Sequence, residues 1–266
     1  DIASDGDVYN ILLIGSDTRN GWYGNSDSMI LASINSQTKT IYMTSFMRDL
    51  YANIPNVGIR KLNSAYAVGG GPLLVSTIES NYRVDIDNYA SVDFSSMANI
   101  IDLVGGVDLE VSTQEADYIN MYLDEQCRLQ GLNASDYYVA GGGITHLNGN
   151  QAVGFARIRY TSRGNEHSDY GRTSRQREIL VQLMQKARSL DATTLLAVVN
   201  NMLPLITHNI DAATLTTLIA NAPSYINYDI QTDRIPYDGL YSNLGEELVP
   251  DFEATINRLH QTIYGN

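Results

Sequence analysis

The stretch YNILLIG at residues 9–15 is a short apolar run that stops at Ser16 and Asp17, the profile of a buried strand whose far end opens into a loop. Working outward, residues 29–34 and 40–45 are two more such runs on either side of a Ser36-Gln37-Thr38-Lys39 turn, so the three strands are expected to be neighbours. The polar loop over residues 17–28, which carries two glycines, joins the first two strands. Loops held at strand ends are where binding and catalytic groups concentrate.

Further along, residues 62–67 and 71–82 read as helix, interrupted by Gly69-Gly70-Gly71, with Pro72 suited to the first turn of the second piece. Residues 87–94 alternate as a strand. Residues 95–104 follow as a helix opened by two serines able to cap it and closed by Gly105-Gly106, and residues 107–111 are again a strand. A helix is expected over 112–128 and a long polar loop over 129–150. Ile179, Leu180, Leu183, Met184 and Ala187 recur at helical spacing within residues 173–190. Helices over 193–202 and 212–220, a strand over 230–235 and a closing helix over 251–264 complete the reading. Strands alternating with helices predict a three-layer α/β/α architecture on a central mixed sheet. A chain of 266 residues, 44% of them hydrophobic, fits one domain over 1–266.

The balance of 30 acidic against 17 basic residues, a formal charge of −13, argues against nucleic-acid binding, which needs a broad basic face. Cys127 is alone, which excludes an internal disulfide and a cysteine-based metal site. The four histidines show no i, i+4 pair, which argues against zinc. There is no Walker loop, no G-x-G-x-x-G and no G-x-S-x-G, so nucleotide hydrolysis, dinucleotide binding and serine hydrolysis lose their usual signatures. No run approaches the roughly twenty apolar residues that span a bilayer.

Against this acidic background, residues 157–177 (RIRYTSRGNEHSDYGRTSRQR) hold six arginines and two acids, Glu166 and Asp169, a local formal charge of about +4. Guanidinium forks grip phosphate oxygens two at a time, so the segment reads as a trap for phosphate or pyrophosphate; the alternative is a solvated helix face making surface ion pairs. Asp17 and Asp27 flank the loop after the first strand and suit Mg2+ or Mn2+ shared with a diphosphate, unless they serve as an Asx turn and a cap. Arg19 lies in the same loop. Arg48-Asp49 follows the third strand at the kind of strand end where open α/β sheets bind ligands, and Lys61 and Asn63 open the next helix. Asp169, three residues before Arg172, could orient an arginine or act as a general base.

ILLIGSDTR at 11–19, SDSMIL at 26–31, TSFMRDLY at 44–51, KLNSAYAVGG at 61–70, NIIDLVGGVDLEV at 99–111 and RIRY…SDYGRTSRQR together resemble the LytR-CpsA-Psr family over most of the chain. The resemblance implies a membrane-anchored enzyme of mostly Gram-positive bacteria that moves a glycopolymer, such as teichoic acid or capsule, from an undecaprenyl-pyrophosphate carrier to peptidoglycan or another wall acceptor. Carried over by position, Asp17 and Asp27 would hold Mg2+, while Arg48, Arg157, Arg159, Arg172, Arg175 and Gln176 would cradle the pyrophosphate, supported by Arg19 and Lys61. Catalytic roles would fall to Asp17, Arg48, Asp169 and Arg172, with a pyrophosphatase side activity. A hydrophobic lipid pocket would draw on segments such as 98–104 and 179–184. The family's N-terminal membrane helix is missing here, so the chain reads as an excised extracellular catalytic domain from the outer face of the cytoplasmic membrane. A non-catalytic module that holds a polyprenyl phosphate or an anionic wall polymer with the same arginines is the alternative.

Overall fold

The computed structural model describes residues 2–16, 24–163 and 168–265. In chain order the elements are β1 (Val8–Ser16), β2 (Ser26–Asn35), β3 (Thr40–Phe46), β4 (Tyr51–Ile54), β5 (Gly58–Lys61), α1 (Ser64–Tyr82), β6 (Asn88–Asp93), α2 (Phe94–Leu103), β7 (Val107–Val111) and α3 (Thr113–Gln130). They continue with β8 (Gly143–Leu147), α4 (Gly149–Arg157), α5 (Ser168–Arg188), α6 (Ala192–Met202), β9 (Thr207–His208), α7 (Ala212–Tyr225), β10 (Asp229–Ile235), β11 (Tyr241–Leu244), β12 (Glu247–Pro250) and α8 (Phe252–Tyr264). These fall into two compact units, Asp1–Asp93 with Ile206–Asn266, and Phe94–Leu205.

The first unit is built on a six-stranded mixed sheet in the order β10-β3-β2-β1-β6-β9, the α/β class expected from the sequence. β1, β2 and β3 are antiparallel neighbours, as their apolar runs predict, while β6 runs parallel to β1 and β10 parallel to β3. Consecutive residues Met29 to Ala32 are all buried, which marks β2 as an interior strand. The turn between β2 and β3 is closed by Asn35, whose Oδ1 accepts from the backbone N–H of Gln37 at 3.0 Å and of Thr38 at 2.9 Å. α8 buries Ile256, Leu259 and Ile263, a stripe at helical spacing, and packs with α1 against the sheet. The strands that run parallel finish at one edge, where Ser16 pairs with Asp93 and Phe46 with Ile235.

α1 keeps the expected break. Gly69 (φ −143°, ψ 18°) and Gly70 (φ 63°, ψ −156°) leave the helical region, and Pro72 opens the second piece, where its missing N–H matters least. At Gly71 a Cβ would come within 2.4 Å of the Tyr89 ring, so the second piece lies close against β6.

In the second unit, a core of Ile101, Val107, Leu109, Val111, Ile119, Leu123, Phe155, Ile158 and Ile179 joins α2, α3, α4 and α5 to the β7–β8 ribbon. Ile101 and Ile179, from the two segments expected to contribute to a lipid pocket, are core residues of this unit. Capping boxes start α3 (Ser112 with Glu115) and α4 (Asn148 with Gln151).

Three ribbons depart from the sequence reading. β8 lies inside residues 129–150, expected as a loop: Gly141, Gly142 and Gly143 take positive φ, and the four strand residues that follow alternate too briefly to register. The hairpins β4–β5 and β11–β12 are four-residue strands turned at Asn56 (φ 60°) and Gly245 (φ 62°), equally short. α5 begins at Ser168 and not near Thr173, so Asp169 and Arg172 lie within its first turns and do not precede it.

The Gly70 dihedrals belong to a region that only glycine occupies readily. Gly70→Ala is expected to lower stability by about 1–3 kcal/mol in urea unfolding, whereas Ser76→Ala, at a helical position of α1, should cost less than about 1 kcal/mol.

Candidate functional site

In the first unit the site residues gather around an irregularity in the β1–β2 ladder. Gly15 pairs with Ser28 and Ser16 with Ser26, which leaves Asp27 as the extra residue of a β-bulge. A bulge re-aims its side chain out of the alternating pattern, and it sits here at the edge where β1 ends. Gly15 marks a close approach of the two strands: a Cβ there would stand 3.0 Å from Ser28 Cβ.

Arg48 follows β3 and reaches Asp27 with Nη1 at 3.4 Å from Oδ1, while its Nε lies 3.6 Å from Asp49 Oδ2. Lys61, at the end of β5, places Nζ 3.0 Å from Asp49 and 3.1 Å from Glu246. Its hydrogen bond to Asp49, followed by the one to Glu246, raises the Lys61 pKa above the ordinary lysine value. Asn63 contributes its backbone: its N–H donates to the Arg48 carbonyl at 3.2 Å and its own carbonyl accepts from Ser26 Oγ at 3.4 Å. Asp27, Arg48, Asp49 and Lys61 therefore form one chain of alternating charge. Asp17 and Arg19 lie outside the described residues.

In the second unit the arginine segment leaves the C-terminus of α4 and returns as the first turns of α5. Arg175 is fully buried: Nε donates to Glu115 at 2.8 Å, Nη1 to the Ile158 carbonyl at 3.2 Å, and Nη2 to the carbonyls of Thr161 at 3.1 Å and Ser162 at 3.2 Å. This corrects the expectation that Arg175 grips pyrophosphate, because its guanidinium is spent inside the protein, pinning residues 158–162. Burial pulls its pKa below the ordinary arginine value, opposed by the hydrogen bond to Glu115. Arg163 pairs with Glu178, Nε to Oε1 at 2.9 Å, and with Glu115 at 3.3 Å. Arg163 and Arg175 are thus matched by acids outside the segment, Glu178 and Glu115.

Asp169 lies 3.5 Å from Arg159 Nε and 3.2 Å from Arg172 Nη2. Asp169 thus stands beside two guanidiniums, a position from which it can orient them. Arg157 lies over two rings, 4.9 Å from the Phe94 centroid and 4.8 Å from that of Tyr122, which holds the guanidinium by cation–π attraction. Gln176 is partly exposed on α5, one residue beyond Arg175.

The donors in the first unit are hard oxygens, the kind Mg2+ takes, and the ion commonly needs only one or two carboxylates beside substrate phosphates. Asp27, displaced from the ladder by the bulge, fits that requirement. Among the described residues no three His, Cys, Asp or Glu side chains form a group that could hold a metal ion.

Glu115, Glu178, Phe94 and Tyr122 escaped the sequence reading. Glu115 closes the local capping box with Ser112, and nothing in that pattern shows that it also receives an arginine from sixty residues away.

A family model, LytR_cpsA_psr family, matches residues 1–259, and the chain belongs to this family. The chain is 35% identical to the polyisoprenyl-teichoic acid–peptidoglycan teichoic acid transferase TagU of Oceanobacillus iheyensis over 272 residues, covering 98% of this chain and 76% of that protein. It is 30% identical over 206 residues to Biofilm regulatory protein A of Streptococcus mutans, covering 73% of this chain and 48%, about half, of that relative's length. Among solved structures, a Streptococcus agalactiae protein superposes with a TM-score of 0.77 at 26% identity, covering 97% of this chain and 88% of that one. TagT with bound octaprenyl pyrophosphate lipid shares the fold at a TM-score of 0.68 and 21% identity, covering 98% of this chain and 92% of that one.

Glu115→Ala removes the carboxylate partner of a buried guanidinium and should destabilise the protein by about 3–5 kcal/mol, read from the shift in its urea unfolding midpoint.

Proposed function

We propose that the chain transfers a glycopolymer from a polyprenyl-pyrophosphate carrier, undecaprenyl pyrophosphate in the family's usual chemistry, to a cell-wall acceptor such as peptidoglycan. The observation that carries this reading is the similarity across 98% of the chain to TagU, a protein named for moving teichoic acid to peptidoglycan. A membrane anchor preceding the chain and a place on the outer face of the cytoplasmic membrane belong to the same proposal; no helix among the described residues is long and apolar enough to cross a membrane.

In the proposed reaction the acceptor hydroxyl oxygen bonds to the phosphorus nearer the glycan. The bond from that phosphorus to the bridging oxygen breaks, the polyprenyl phosphate leaves, and a phosphodiester remains. Asp17 is the candidate for receiving the hydroxyl proton, because Asp169 is engaged with two arginines. Negative charge moves onto the bridging and non-bridging oxygens, and guanidinium groups fixed in advance stabilise that distribution more than the ground state. The proposal assigns this work to Arg48, Arg157, Arg159 and Arg172, with Gln176 as an amide donor and Lys61 and Arg19 in support. Asp169 and Arg175 hold the arginines and their backbone in position. Mg2+, or Mn2+ in its place, held by Asp17 and Asp27 would neutralise part of the diphosphate charge as a Lewis acid. Water in place of the acceptor gives the pyrophosphatase side reaction.

Arg159→Ala, at a partly exposed position, and Arg172→Ala should each lower glycan transfer by about 100-fold or more, measured by release of polyprenyl phosphate from a lipid-linked glycan. Chelation should stop the release and added Mg2+ restore it. Tight binding of the lipid with no metal-dependent release would point to the binding module.

A further inference from the structure

Tyr160 is the most exposed large hydrophobic side chain among the described residues, at 79%, and it follows Arg159 in the chain. It is not a loose side chain on a loose loop. Its ring packs against Tyr118 of α3 with centroids 5.8 Å apart and planes inclined at 33°. Tyr118 is itself packed against the core of the second unit. The next residue, Thr161, donates through Oγ1 to Gln114 Oε1 at 3.0 Å, and the Thr161 carbonyl accepts from Arg175. The backbone around Tyr160 is therefore tied to α3 on one side and to a buried guanidinium on the other, which leaves a large ring face exposed in a fixed place.

The ring also continues a pattern. Tyr118 and Tyr122 are one turn apart on α3 and share a face. Tyr122 carries Arg157, and Tyr118 carries Tyr160. An aromatic stripe thus runs from the Arg157 guanidinium to the exposed ring of Tyr160, the residue that follows Arg159 in the chain. Exposing an aromatic face has a cost in water, and a rigidly held one next to cations has the chemistry of a ligand platform. A ligand that satisfies both ends is anionic at one end and presents a flat, neutral, C–H-bearing face at the other. A pyranose attached near a phosphate has this character: its axial C–H groups carry slight positive charge and stack on the negative face of an aromatic ring.

We propose that Tyr160, supported by Tyr118, is a stacking platform for a pyranose of the glycan on which the protein acts, a specificity-determining residue for the sugar and not for the lipid. The inference rests on the transfer reading above and adds a sugar subsite to it. The sugar could belong to the lipid-linked donor or to the wall acceptor.

The test compares wild type, Tyr160→Ala and Tyr160→Phe with three probes: octaprenyl pyrophosphate without sugar, a polyprenyl-pyrophosphate-linked disaccharide, and a peptidoglycan fragment as acceptor. The expected result is that Tyr160→Ala binds the sugar-free lipid as wild type does. It should raise KM for the disaccharide donor or for the peptidoglycan fragment by roughly 2- to 12-fold, with little change in kcat, while Tyr160→Phe stays near wild type. A rise confined to the donor places the platform under its first sugars, and a rise confined to the acceptor places it under the incoming glycan. Equal KM values in wild type and Tyr160→Ala for both glycans, with sugar-free lipid bound and transfer intact, would overturn this inference while leaving the transfer reading standing. Failure of the wild type to bind the sugar-free lipid or to transfer glycan would overturn the reading on which it rests.

Discussion

The ion pair between Arg175 and Glu115, sealed in the interior of the second unit, is the constraint on which the placement of its other arginines depends. Two charges out of water are tolerable only when geometry and hydrogen bonding are close to complete. Glu115 meets this by accepting from the Ser112 N–H at 2.9 Å and the Ser112 hydroxyl at 3.0 Å as well as from the guanidinium. Arg175 meets it by donating to three backbone carbonyls of the segment between α4 and α5. One pair thereby fixes the start of α3, the first turns of α5 and the connection that carries Arg159 and Tyr160. Like-charged guanidiniums repel, and a rigid frame lets several of them stay close without a ligand present.

The first unit solves the corresponding problem with its backbone. An extra residue in β2 turns Asp27 out of the pleat just where the parallel strands end, and Arg48, Asp49 and Lys61 follow in alternating sign.

What was legible in the sequence divides along physical lines. β1, β2 and β3 announced themselves because interior strands need unbroken apolar runs, and the break in α1 did so because three glycines before a proline admit little else. The ribbons β4–β5, β7–β8 and β11–β12 are held by partners and turns more than by composition, and two of the three left no periodic trace. Among the site residues, the arginine cluster stood out by charge alone. Its internal division did not: Arg172 and Arg175 are both buried arginines on one helix, yet one is spent on Glu115 and the other pairs with Asp169. That difference is set by Glu115, Ile158 and Thr161, residues brought in by tertiary structure.

The second unit interrupts the first: the chain leaves the sheet after β6 and rejoins it only at β9 and β10. Thr40 on β3 must wait for Asp229 as its ladder partner. While the polypeptide is being synthesised, the edge of β3 is therefore an open template until β10 has been made, and closing the sheet carries the entropy of a very long loop. Slow maturation and sensitivity to crowding by other nascent chains follow from this topology, independent of how well the finished molecule is packed.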